Sequence, residues 1–425
     1  MVLNRIWIAM FLISGIVAFS KLIFWQDYFI FDEMVKSLFD SAETGFNVAL
    51  GLTGMLCLWM GIMRIGEQGG AVKILTRLVA PLFTRLFPSV PKDHPAVGSM
   101  MMNISANMLN LDNAATPMGL KAMRELQDLN DQKERATDAQ IMFLVLNTSG
   151  LTLIPVSIFA LLSSNHFADP TQMFMPILIA TYCATLAGLI AMSFFQKINL
   201  FHPIVLLYLG GFSVVVFGLL AYVKNDPGSA EYISKVGGNV IIFLIIISFI
   251  LLAVRKKINV YSTFVDGAKE GFDIAISIIP YLIVILAAIA VLRGSGTLDA
   301  VLFVIKEFCI WAGITATEWV DALPVGLMKP LSGGGARGAL QDLITTVDHH
   351  GQPLEVIKAG PKLAMSMPTK IASAMQGSTD TTFYVLALYF GSVKITNIRY
   401  AIAAGLIADL AGLTAAIIVS YIFFA

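Results

Sequence analysis

Charged residues are scarce in this sequence of 425 residues. Asp, Glu, Lys and Arg make up 13% of it, whereas a soluble domain carries about 25%. The formal net charge is zero, so the balance of charge gives no reason to expect a nucleic-acid partner. The low content of charged residues is therefore not typical of a soluble domain.

Cysteine is equally scarce. The three cysteines, Cys57, Cys183 and Cys309, lie in apolar stretches without a CxxC pair or a nearby histidine. This pattern argues against a disulfide framework and against a thiolate metal site. His349 and His350 stand side by side in a polar loop, where a surface pair is favoured over a metal site because no third ligand accompanies them.

Several catalytic motifs are missing altogether. The sequence has no HExxH, no GxSxG and no phosphate-binding GxxxxGK[ST] pattern. Each of these motifs carries the chemistry of one enzyme class. We therefore predict that the protein is not an enzyme and that it holds no metal or organic cofactor.

Long apolar stretches are abundant, and 57% of all residues are hydrophobic. A helix that crosses a bilayer needs about 20 apolar residues. Nine stretches qualify: Ile6–Phe24, Gly45–Met63, Ile141–Leu162, Phe174–Phe195, Ile204–Tyr222, Val240–Val254 with its flank, Ile274–Leu292, Ala372–Phe390 and Tyr400–Phe424. The first follows only Arg5 and has no small-residue cleavage site before Lys21, so we interpret it as a retained helix.

Two further stretches, Ala96–Leu120 and Leu323–Leu343, are half apolar and rich in Gly, Asn and Ser. Stretches of this kind are typical of segments that enter a membrane without crossing it as a regular helix. The sequence thus predicts an all-α integral membrane protein with about nine transmembrane helices and two re-entrant or broken hairpins.

Short segments of the first half recur in the second half at a nearly constant offset. Residues 40–49 (DSAETGFNVA) resemble residues 266–275 (DGAKEGFDIA), and residues 184–189 (ATLAGL) resemble residues 408–413 (ADLAGL). Further matches pair 147–152 with 376–381 and Ser105 with Ser332. Collinear matches of this kind indicate a duplication.

The duplication divides the chain into four parts. Residues 1–38 hold an N-terminal transmembrane helix, 39–200 the first repeat, 201–258 a connector with two transmembrane helices, and 259–425 the second repeat. Five full crossings separate the two copies if the first half-polar stretch enters and leaves on the same side. An odd number inverts the second copy, as in many secondary transporters.

Basic residues predict the orientation. Lys and Arg cluster after the second and sixth apolar stretches and before Ile141, which places the N-terminus in the cytoplasm and the C-terminus on the far side. Lys358, Lys362 and Lys370 agree less well, because they would then lie outside. The amphipathic segment Val72–Leu86 is expected to lie along the cytoplasmic interface.

The densest polar run at the expected membrane depth comprises residues 103–117. Non-helical backbone persists in a membrane only against protein or a water-filled cavity, so we predict a solute and ion site here. The alternative is that these amides only hold helices together. The predicted solute ligands are Asn103, Ser105, Asn107, Asn110 and Asn113, and the predicted ion ligands are Asp112 and Thr116.

A glycine-rich run is its counterpart in the second half. Gly333, Gly334 and Gly335 lie between Ser332 and Arg337. Three consecutive glycines are unfavourable inside a helix, and their amides can form a nest that binds an anion or an oxygen, with Arg337 adding positive charge. All five residues are predicted to bind solute. The alternative is a sharp turn in which glycine only permits close packing.

A third polar run, residues 375–382, lies at the mouth of an apolar helix. Asp380 is expected to be buried at membrane depth, as are Asp112 and Asp409, and such carboxylates are functional candidates by default. Capping of the following helix is the alternative role. The predicted solute ligands are Gln376, Ser378 and Thr381, the predicted ion ligands are Asp380, Thr379 and Thr382, and the equivalent solute ligands of the first repeat are Asn147 and Ser149.

Longer segments resemble a known family. Residues 103–123 and 146–155 resemble spore maturation protein A, whereas residues 266–272, 329–335 and 375–384 resemble spore maturation protein B. The chain thus resembles a fusion of the two. This family carries the nucleoside-recognition or Gate domain, which is also found in concentrative nucleoside transporters and the ferrous iron permease. The resemblance implies a transporter-like fold in a bacterial inner membrane.

These observations favour a multi-pass secondary transporter of the bacterial cytoplasmic membrane. Its solute would be nucleoside-like or another small polar metabolite, coupled to Na⁺ or H⁺, with a site between the repeats at mid-membrane. The alternative is a non-transporting membrane scaffold in envelope or spore maturation. The expected partners are membrane lipid and the solute, with no nucleic acid, and the sequence leaves a homo-oligomer open.

Overall fold

The computed structural model describes residues 2–110, 112–225, 236–345, 358–359 and 362–424. The first eight helices are α1 (Val2–Phe24), α2 (Ile30–Gly69), α3 (Ala71–Leu86), α4 (Pro95–Met108), α5 (Asp112–Asp128), α6 (Asp138–Thr148), α7 (Val156–Ser164) and α8 (Phe174–Gln196). A 3₁₀ turn (Pro170–Met173) precedes α8.

Eleven further helices follow in the described part of the chain. They are α9 (Pro203–Val205), α10 (Gly211–Asn225), α11 (Gly238–Arg255), α12 (Val260–Gly294), α13 (Thr297–Trp311), α14 (Glu318–Asp321), α15 (Leu323–Met328), α16 (Gly333–Thr345), α17 (Met367–Ser378), α18 (Thr382–Ser392) and α19 (Ala401–Phe424). A π-helical turn (Leu206–Gly210) joins α9 to α10. The predicted helical class is confirmed, apart from a two-residue strand pair, Lys358–Ala359 with Lys362–Leu363.

Seven helical segments among the described residues are long and apolar enough to cross a membrane. They are α1, α2, α8, the run from α9 to α10, α11, α12 and α19. The protein is therefore a multi-pass membrane protein. The other two apolar stretches, Ile141–Leu162 and Ala372–Phe390, are each divided into two short helices, α6 with α7 and α17 with α18.

Local sequence signals explain where several helices begin and end. Thr137 and Gln140 form a reciprocal capping box at the start of α6, which satisfies two otherwise free amides. Asn259 caps α12 by accepting from the Ser262 amide at 3.1 Å. Gly70, with φ of +97°, ends α2 in the left-handed conformation that glycine adopts without strain.

The two longest helices, α2 and α12, pack antiparallel, and glycines bring their backbones together. A Cβ at Gly271 would lie 2.6 Å from the Leu56 carbonyl oxygen and 2.8 Å from Cα of Cys57. A Cβ at Gly45 would lie 3.0 Å from the side chain of Ile283. The two residue numbers in each contacting pair add up to 328, so one helix runs down as the other runs up, as antiparallel helices require. The pairs are Met34 with Gly294, Gly45 with Ile283, Cys57 with Gly271, and Gly61 with Gly267.

Helices α8 and α19 also pack antiparallel. A Cβ at Gly188 would lie 3.4 Å from that of Ala408, and a Cβ at Gly412 would lie 3.0 Å from that of Ala184. These four residues are the Ala and Gly of the repeated ATLAGL and ADLAGL segments. The repeated segment therefore marks a second place where the two halves touch.

Each half also contains a helical hairpin in its half-polar stretch. In the first hairpin, α4 turns into α5 next to Asn110, whose φ is +56°. In the second hairpin, α15 turns into α16 through residues 329–332. The largest apolar core joins α2, α7, α8, α12, α16 and α17, so both halves contribute to one packed interior.

Candidate functional site

The first broken helix lacks regular structure at residues 149–155, between α6 and α7. Gly150 weakens helix propensity. Pro155 has no amide hydrogen and favours an extended residue before it. Because backbone groups inside a membrane need protein partners, the residues of this break must find theirs on other elements.

The second broken helix is interrupted over only three residues. α17 ends at Ser378, Thr379 is fully extended with φ of −144° and ψ of 176°, and α18 begins at Thr382. Thr381, which precedes α18, makes no side-chain capping bond. The Asp380 carboxylate instead accepts from the Thr381 amide at 2.7 Å. The capping alternative considered for this run therefore does not describe it.

Each broken helix donates a backbone hydrogen bond to the hairpin of its own half. The Leu153 amide donates to the Met108 carbonyl at the end of α4, over 2.8 Å. The Phe383 amide donates to the Pro330 carbonyl in the turn of the second hairpin, over 2.9 Å. In both halves, the hairpin tip thus holds the interrupted backbone.

The two breaks are bonded to each other. The Asp380 amide donates to the Thr148 carbonyl over 2.7 Å. Thr148 is the last residue of α6, where carbonyl groups have no partner within the helix. The interrupted points of the two halves therefore meet directly.

A buried network joins the first hairpin to both broken helices. Asn107 donates from Nδ2 to Asn147 Oδ1 over 2.7 Å, and the Tyr389 hydroxyl donates to the same oxygen over 3.2 Å. Asn103 donates to the Tyr389 hydroxyl at 3.1 Å and to the Ala115 carbonyl at 2.8 Å. Among the described residues, Asn103 Oδ1 has no partner although the side chain is fully buried. The structure thus brings three predicted ligands together.

Tyr389 was not among the predicted ligands. It lies in the apolar helix α18, and its ring stacks on Phe143 with centroids 5.6 Å apart. The only signal in the sequence is a tyrosine within an apolar run, since a buried tyrosine hydroxyl usually has a hydrogen-bond partner.

Ser105 and Asn110 lie apart from this network. The Ser105 hydroxyl shares a hydrogen bond of 3.1 Å with the Thr76 hydroxyl, so Ser105 faces α3. Asn110 is half-buried in the turn of the first hairpin. Their placement supports structural contacts within the first half.

The remaining predicted ligands of the first half are less closely connected. Thr116 is half-buried in α5. Ser149 is buried, and its carbonyl accepts from the Thr185 hydroxyl at 3.1 Å. The side chains of Asp112 and Asn113 lie outside the described part of the structure, so their predicted roles stay predictions.

The three glycines of the second hairpin form the first turn of α16, and the predicted binding by their amides stays a prediction. The Ser332 hydroxyl accepts from the Gly335 amide at 3.0 Å, and Arg337 donates from Nε to the Gly333 carbonyl at 3.4 Å. A Cβ at Gly333 would lie 3.0 Å from the Thr381 hydroxyl. Glycine therefore permits close packing here, while the amides of Gly333 and Gly334 lie in the first turn, where they have no partner within the helix.

Gln376 and Ser378 line the same junction. Gln376 is buried and donates to the Gly333 carbonyl at 3.3 Å, while its Oε1 has no partner among the described residues. Ser378 donates to the Met375 carbonyl of its own helix at 2.8 Å. Gln376 thus ties α17 to the second hairpin, whereas the Ser378 hydroxyl is used locally.

The buried carboxylate at the second break is Asp409. Asp380 is exposed, contrary to the expectation that it is buried at depth. Asp409 of α19 is 2% exposed and accepts from the Thr382 hydroxyl over 2.7 Å. Asp409 was expected to be buried but was not proposed as an ion ligand. The sequence contained a signal for Asp409, because a carboxylate stands there where the first copy of the repeated segment has Thr185.

The described residues contain no group of three or more His, Cys, Asp or Glu side chains that could hold a metal ion. The polar groups where the two helix breaks meet are instead amides, hydroxyls and one carboxylate. Such a set suits a neutral polar solute or a monovalent cation better than a transition metal.

Comparison with known proteins agrees with this organisation. Residues 49–165, which include the first hairpin and the first broken helix, match the Gate family, described as nucleoside recognition. Spore maturation protein A of Bacillus subtilis (strain 168) is 36% identical over 160 residues, which cover 38% of this chain and 82% of that protein. Spore maturation protein B of the same strain is 41% identical over 181 residues, which cover 43% of this chain and 91% of that protein.

The chain belongs to the spore maturation protein A and B family. Each relative accounts for about two-fifths of the chain, as a fusion of the two requires. The resemblance drawn from the sequence is therefore confirmed. No solved structure matches the chain.

Proposed function

We propose that the protein is a secondary transporter that moves a small polar solute across a bacterial inner membrane, coupled to Na⁺ or H⁺. The observation that carries the proposal is the hydrogen bond of 2.7 Å between the two helix breaks, from the Asp380 amide to the Thr148 carbonyl. In secondary transporters, interrupted helices that meet at mid-membrane form the solute and ion sites.

The proposal includes an inverted repeat with nine crossings, in which each broken helix crosses the membrane as one unit. Antiparallel packing of α2 with α12 and of α8 with α19 supports it, because these helices are equivalent in the two halves. Gly45 contacts Ile283 while Gly271 contacts Cys57, and both Gly271 and Ile283 lie 226 residues after their counterparts. Reciprocal contacts are typical of a two-fold relation.

The solute site would lie where the first hairpin meets both broken helices. Asn103, Asn107, Asn147 and Tyr389 present amide and hydroxyl groups there, and Asn103 Oδ1 has no partner among the described residues. A solute with several hydroxyl or amide groups can take over such hydrogen bonds. The match to a family described as nucleoside recognition supports a nucleoside-like solute.

A ligand screen followed by uptake tests the proposal. The purified protein would be heated with nucleosides, nucleobases, amino acids, dicarboxylates or phosphate, with and without Na⁺, since a bound solute raises the unfolding temperature. Uptake of any hit into proteoliposomes under a Na⁺ or proton gradient would follow. We expect Asn147→Ala to lose both responses.

Ser105→Ala is the matched control, because Ser105 is also a buried polar residue of the first half but contacts Thr76 instead of the network. It should keep both responses. No stabilisation by any compound, together with no uptake under either gradient, would argue against transport.

A membrane scaffold is the second candidate function. Both relatives are named for spore maturation, and a structural role would use the buried amides only to hold helices together. The scaffold predicts that Asn107→Ala and Asn147→Ala variants that still fold restore the function of cells lacking the protein. The transporter predicts that they do not.

A further inference from the structure

We propose that Asp409 is a proton-binding site that spans the second helix break and carries the coupling proton of transport. The coupling role rests on the proposed transport function, whereas the proton site stands on the geometry of the break.

The Asp409 carboxyl group bridges the two pieces of the broken helix. Its Oδ2 accepts from the hydroxyl of Thr382, the first residue of α18, over 2.7 Å. The hydroxyl of Thr379, directly after α17, lies beside the same carboxyl group. Asp409 Oδ1 and Thr379 Oγ1 are both buried and complete no hydrogen bond of normal geometry with any described residue. The Asp409 carboxyl group thus lies between the end of α17 and the start of α18.

Two glycines of α19 make this position possible. A Cβ at Gly405 would lie 2.7 Å from the side chain of Thr382, and a Cβ at Gly412 would lie 2.8 Å from the side chain of Thr379. Gly405 precedes Asp409 by one helical turn and Gly412 follows it by nearly one turn, so all three face the break. The break is therefore packed closely around the carboxyl group.

The surroundings provide few hydrogen-bond donors for an ionised carboxylate. A buried carboxylate that stays charged normally accepts two or three hydrogen bonds or pairs with a cation, and a buried unpaired charge costs a large free energy. Among the described residues, the hydroxyl of Thr382 donates to the carboxyl group and the hydroxyl of Thr379 lies beside it. The charged groups that face Asp409 are Lys329 of the second hairpin, which is positive, and Asp380 of the break, which is negative.

The equivalent position in the first half points the same way. Thr185 takes the place of Asp409 in the repeated segment, and its hydroxyl donates to the Ser149 carbonyl of the first break at 3.1 Å. A neutral hydrogen-bonding group therefore fits this position. A protonated Asp409 is likewise neutral, and its Oδ1–H can donate to Thr379 Oγ1 while Oδ2 accepts from Thr382.

Loss of the proton would open the break. The Asp409 Oδ1–H bond breaks, and the proton passes to water beside the exposed Asp380 carboxylate. The charge left on Asp409 lies between α17 and α18, where the hydroxyls of Thr379 and Thr382 can donate to it, and water entry between the two pieces stabilises it further. Because the Asp380 amide bonds to the Thr148 carbonyl, separation of these pieces would also disturb the contact between the two halves.

Infrared difference spectroscopy of the purified, detergent-solubilised full chain tests the site without a known solute. A protonated carboxylic acid has a carbonyl stretch that is distinct from the carboxylate bands. At neutral pH we expect such a band in the unaltered protein and its loss in Asp409→Asn. Asp380→Asn is the matched control and should keep the band, because Asp380 is exposed at the same break.

Thr382→Val covers the case in which Asp409→Asn fails to fold. It removes the hydrogen bond to Asp409 Oδ2 while keeping the shape of the side chain, so the band assigned to Asp409 should shift in frequency. A band that is insensitive to Thr382→Val would overturn the assignment. Absence of any Asp409 band at neutral pH would overturn it as well.

Two further outcomes separate the proton site from the proposed function. Disappearance of the Asp409 band on addition of Na⁺ at constant pH would overturn the proton in favour of a sodium site. An Asp409 band that is present in a protein taking up no solute would support the proton site but overturn its role in transport.

Discussion

The hydroxyl of Tyr389 donates to the side-chain oxygen of Asn147 over 3.2 Å. Tyr389 lies in the second half of the chain and Asn147 in the first. The same oxygen accepts from Asn107 of the first hairpin. One buried amide oxygen therefore collects donors from a hairpin of one half and a broken helix of the other.

Removing this hydroxyl should destabilise the protein modestly. Tyr389→Phe keeps the ring stacked on Phe143 but removes one donor and one acceptor, which costs about 1 kcal/mol in the free energy of unfolding. Tyr384→Phe is the control on the same helix, because Tyr384 is 60% exposed. Reversible unfolding in mixed micelles would measure the unfolding free energies of both variants. Equal losses in the two would contradict the role given to the buried hydroxyl.

The crossing of α2 and α12 should not tolerate a methyl group. In Gly271→Ala the new Cβ would meet the backbone of Leu56 and Cys57, which cannot move as a side-chain end can. We expect a loss of about 1–3 kcal/mol from this overpacking.

Gly54→Ala is the matched control for Gly271→Ala. Gly54 lies in α2, and a Cβ there would meet no atom within 4 Å. Because alanine favours a helix over glycine by about 0.5–1 kcal/mol, this variant should be neutral or slightly more stable. The interpretation of the crossing would be wrong if both substitutions changed the unfolding free energy alike.

Arg293 binds two carboxylates, and the more buried one should matter more. Arg293 Nη2 lies 2.7 Å from Asp342 Oδ2 and Nη1 lies 3.0 Å from Asp299 Oδ1. Asp342→Ala leaves the guanidinium without its nearer partner, so we expect a loss of about 2–3 kcal/mol, below the range for fully buried pairs. Asp299→Ala, at an exposed position, should cost less than about 1 kcal/mol.

A double substitution separates the net contribution of the Arg293–Asp342 pair to stability from the stability lost when one partner alone is removed. Replacing Arg293 by Met and Asp342 by Leu removes both charges and keeps comparable volume. Buried pairs replaced in this way often lose little stability, so the double variant should be more stable than Asp342→Ala. Thermal unfolding would decide, and a double variant that is less stable than Asp342→Ala would contradict the argument.

The stability contributed by Glu318 should depend on pH. The Tyr421 hydroxyl donates to Glu318 Oε2 over 2.7 Å, and this hydrogen bond lowers the pKa of the Glu318 carboxyl below its ordinary value. A carboxyl whose pKa is lower in the folded protein stabilises it above the unfolded-state pKa, and this contribution is lost as the pH falls through the folded-state pKa.

Tyr421→Phe should therefore lower the unfolding temperature at neutral pH. The difference from the unaltered protein should shrink on acidification, because protonated Glu318 no longer gains from the phenol. Unfolding temperatures across the acidic range would test this for both proteins. A difference that stays constant at every pH would show that the hydroxyl acts through packing alone.

The sequence predicted the helical membrane class and the repeat because both depend on composition and on matches over many residues. It did not predict that Ile141–Leu162 and Ala372–Phe390 are divided, because a window of about 20 residues averages over breaks of seven and three residues. Polar side chains near each break were recognised, but some of their partners lie more than two hundred residues away, as with Asn147 and Tyr389.

The two acidic residues show the same limit. Asp380 lies among hydroxyl residues and Asp409 inside an apolar run, and both contexts indicate membrane depth. Only tertiary packing distinguishes them, because close contact of α19 with both pieces of the second broken helix encloses Asp409 and leaves Asp380 exposed. Tyr389 was missed for a related reason, since its hydrogen-bonding neighbours are all distant in sequence.

The glycine contacts between α2 and α12 have a consequence for how the chain is held together. The backbones of α2 and α12 contact each other along most of both helices. An interface of this extent can hold separate subunits together. By this packing the two halves resemble two subunits that share one polypeptide, and the connector at residues 201–258 supplies one copy of each. A chain cut within that segment after folding should purify as two fragments that remain bound.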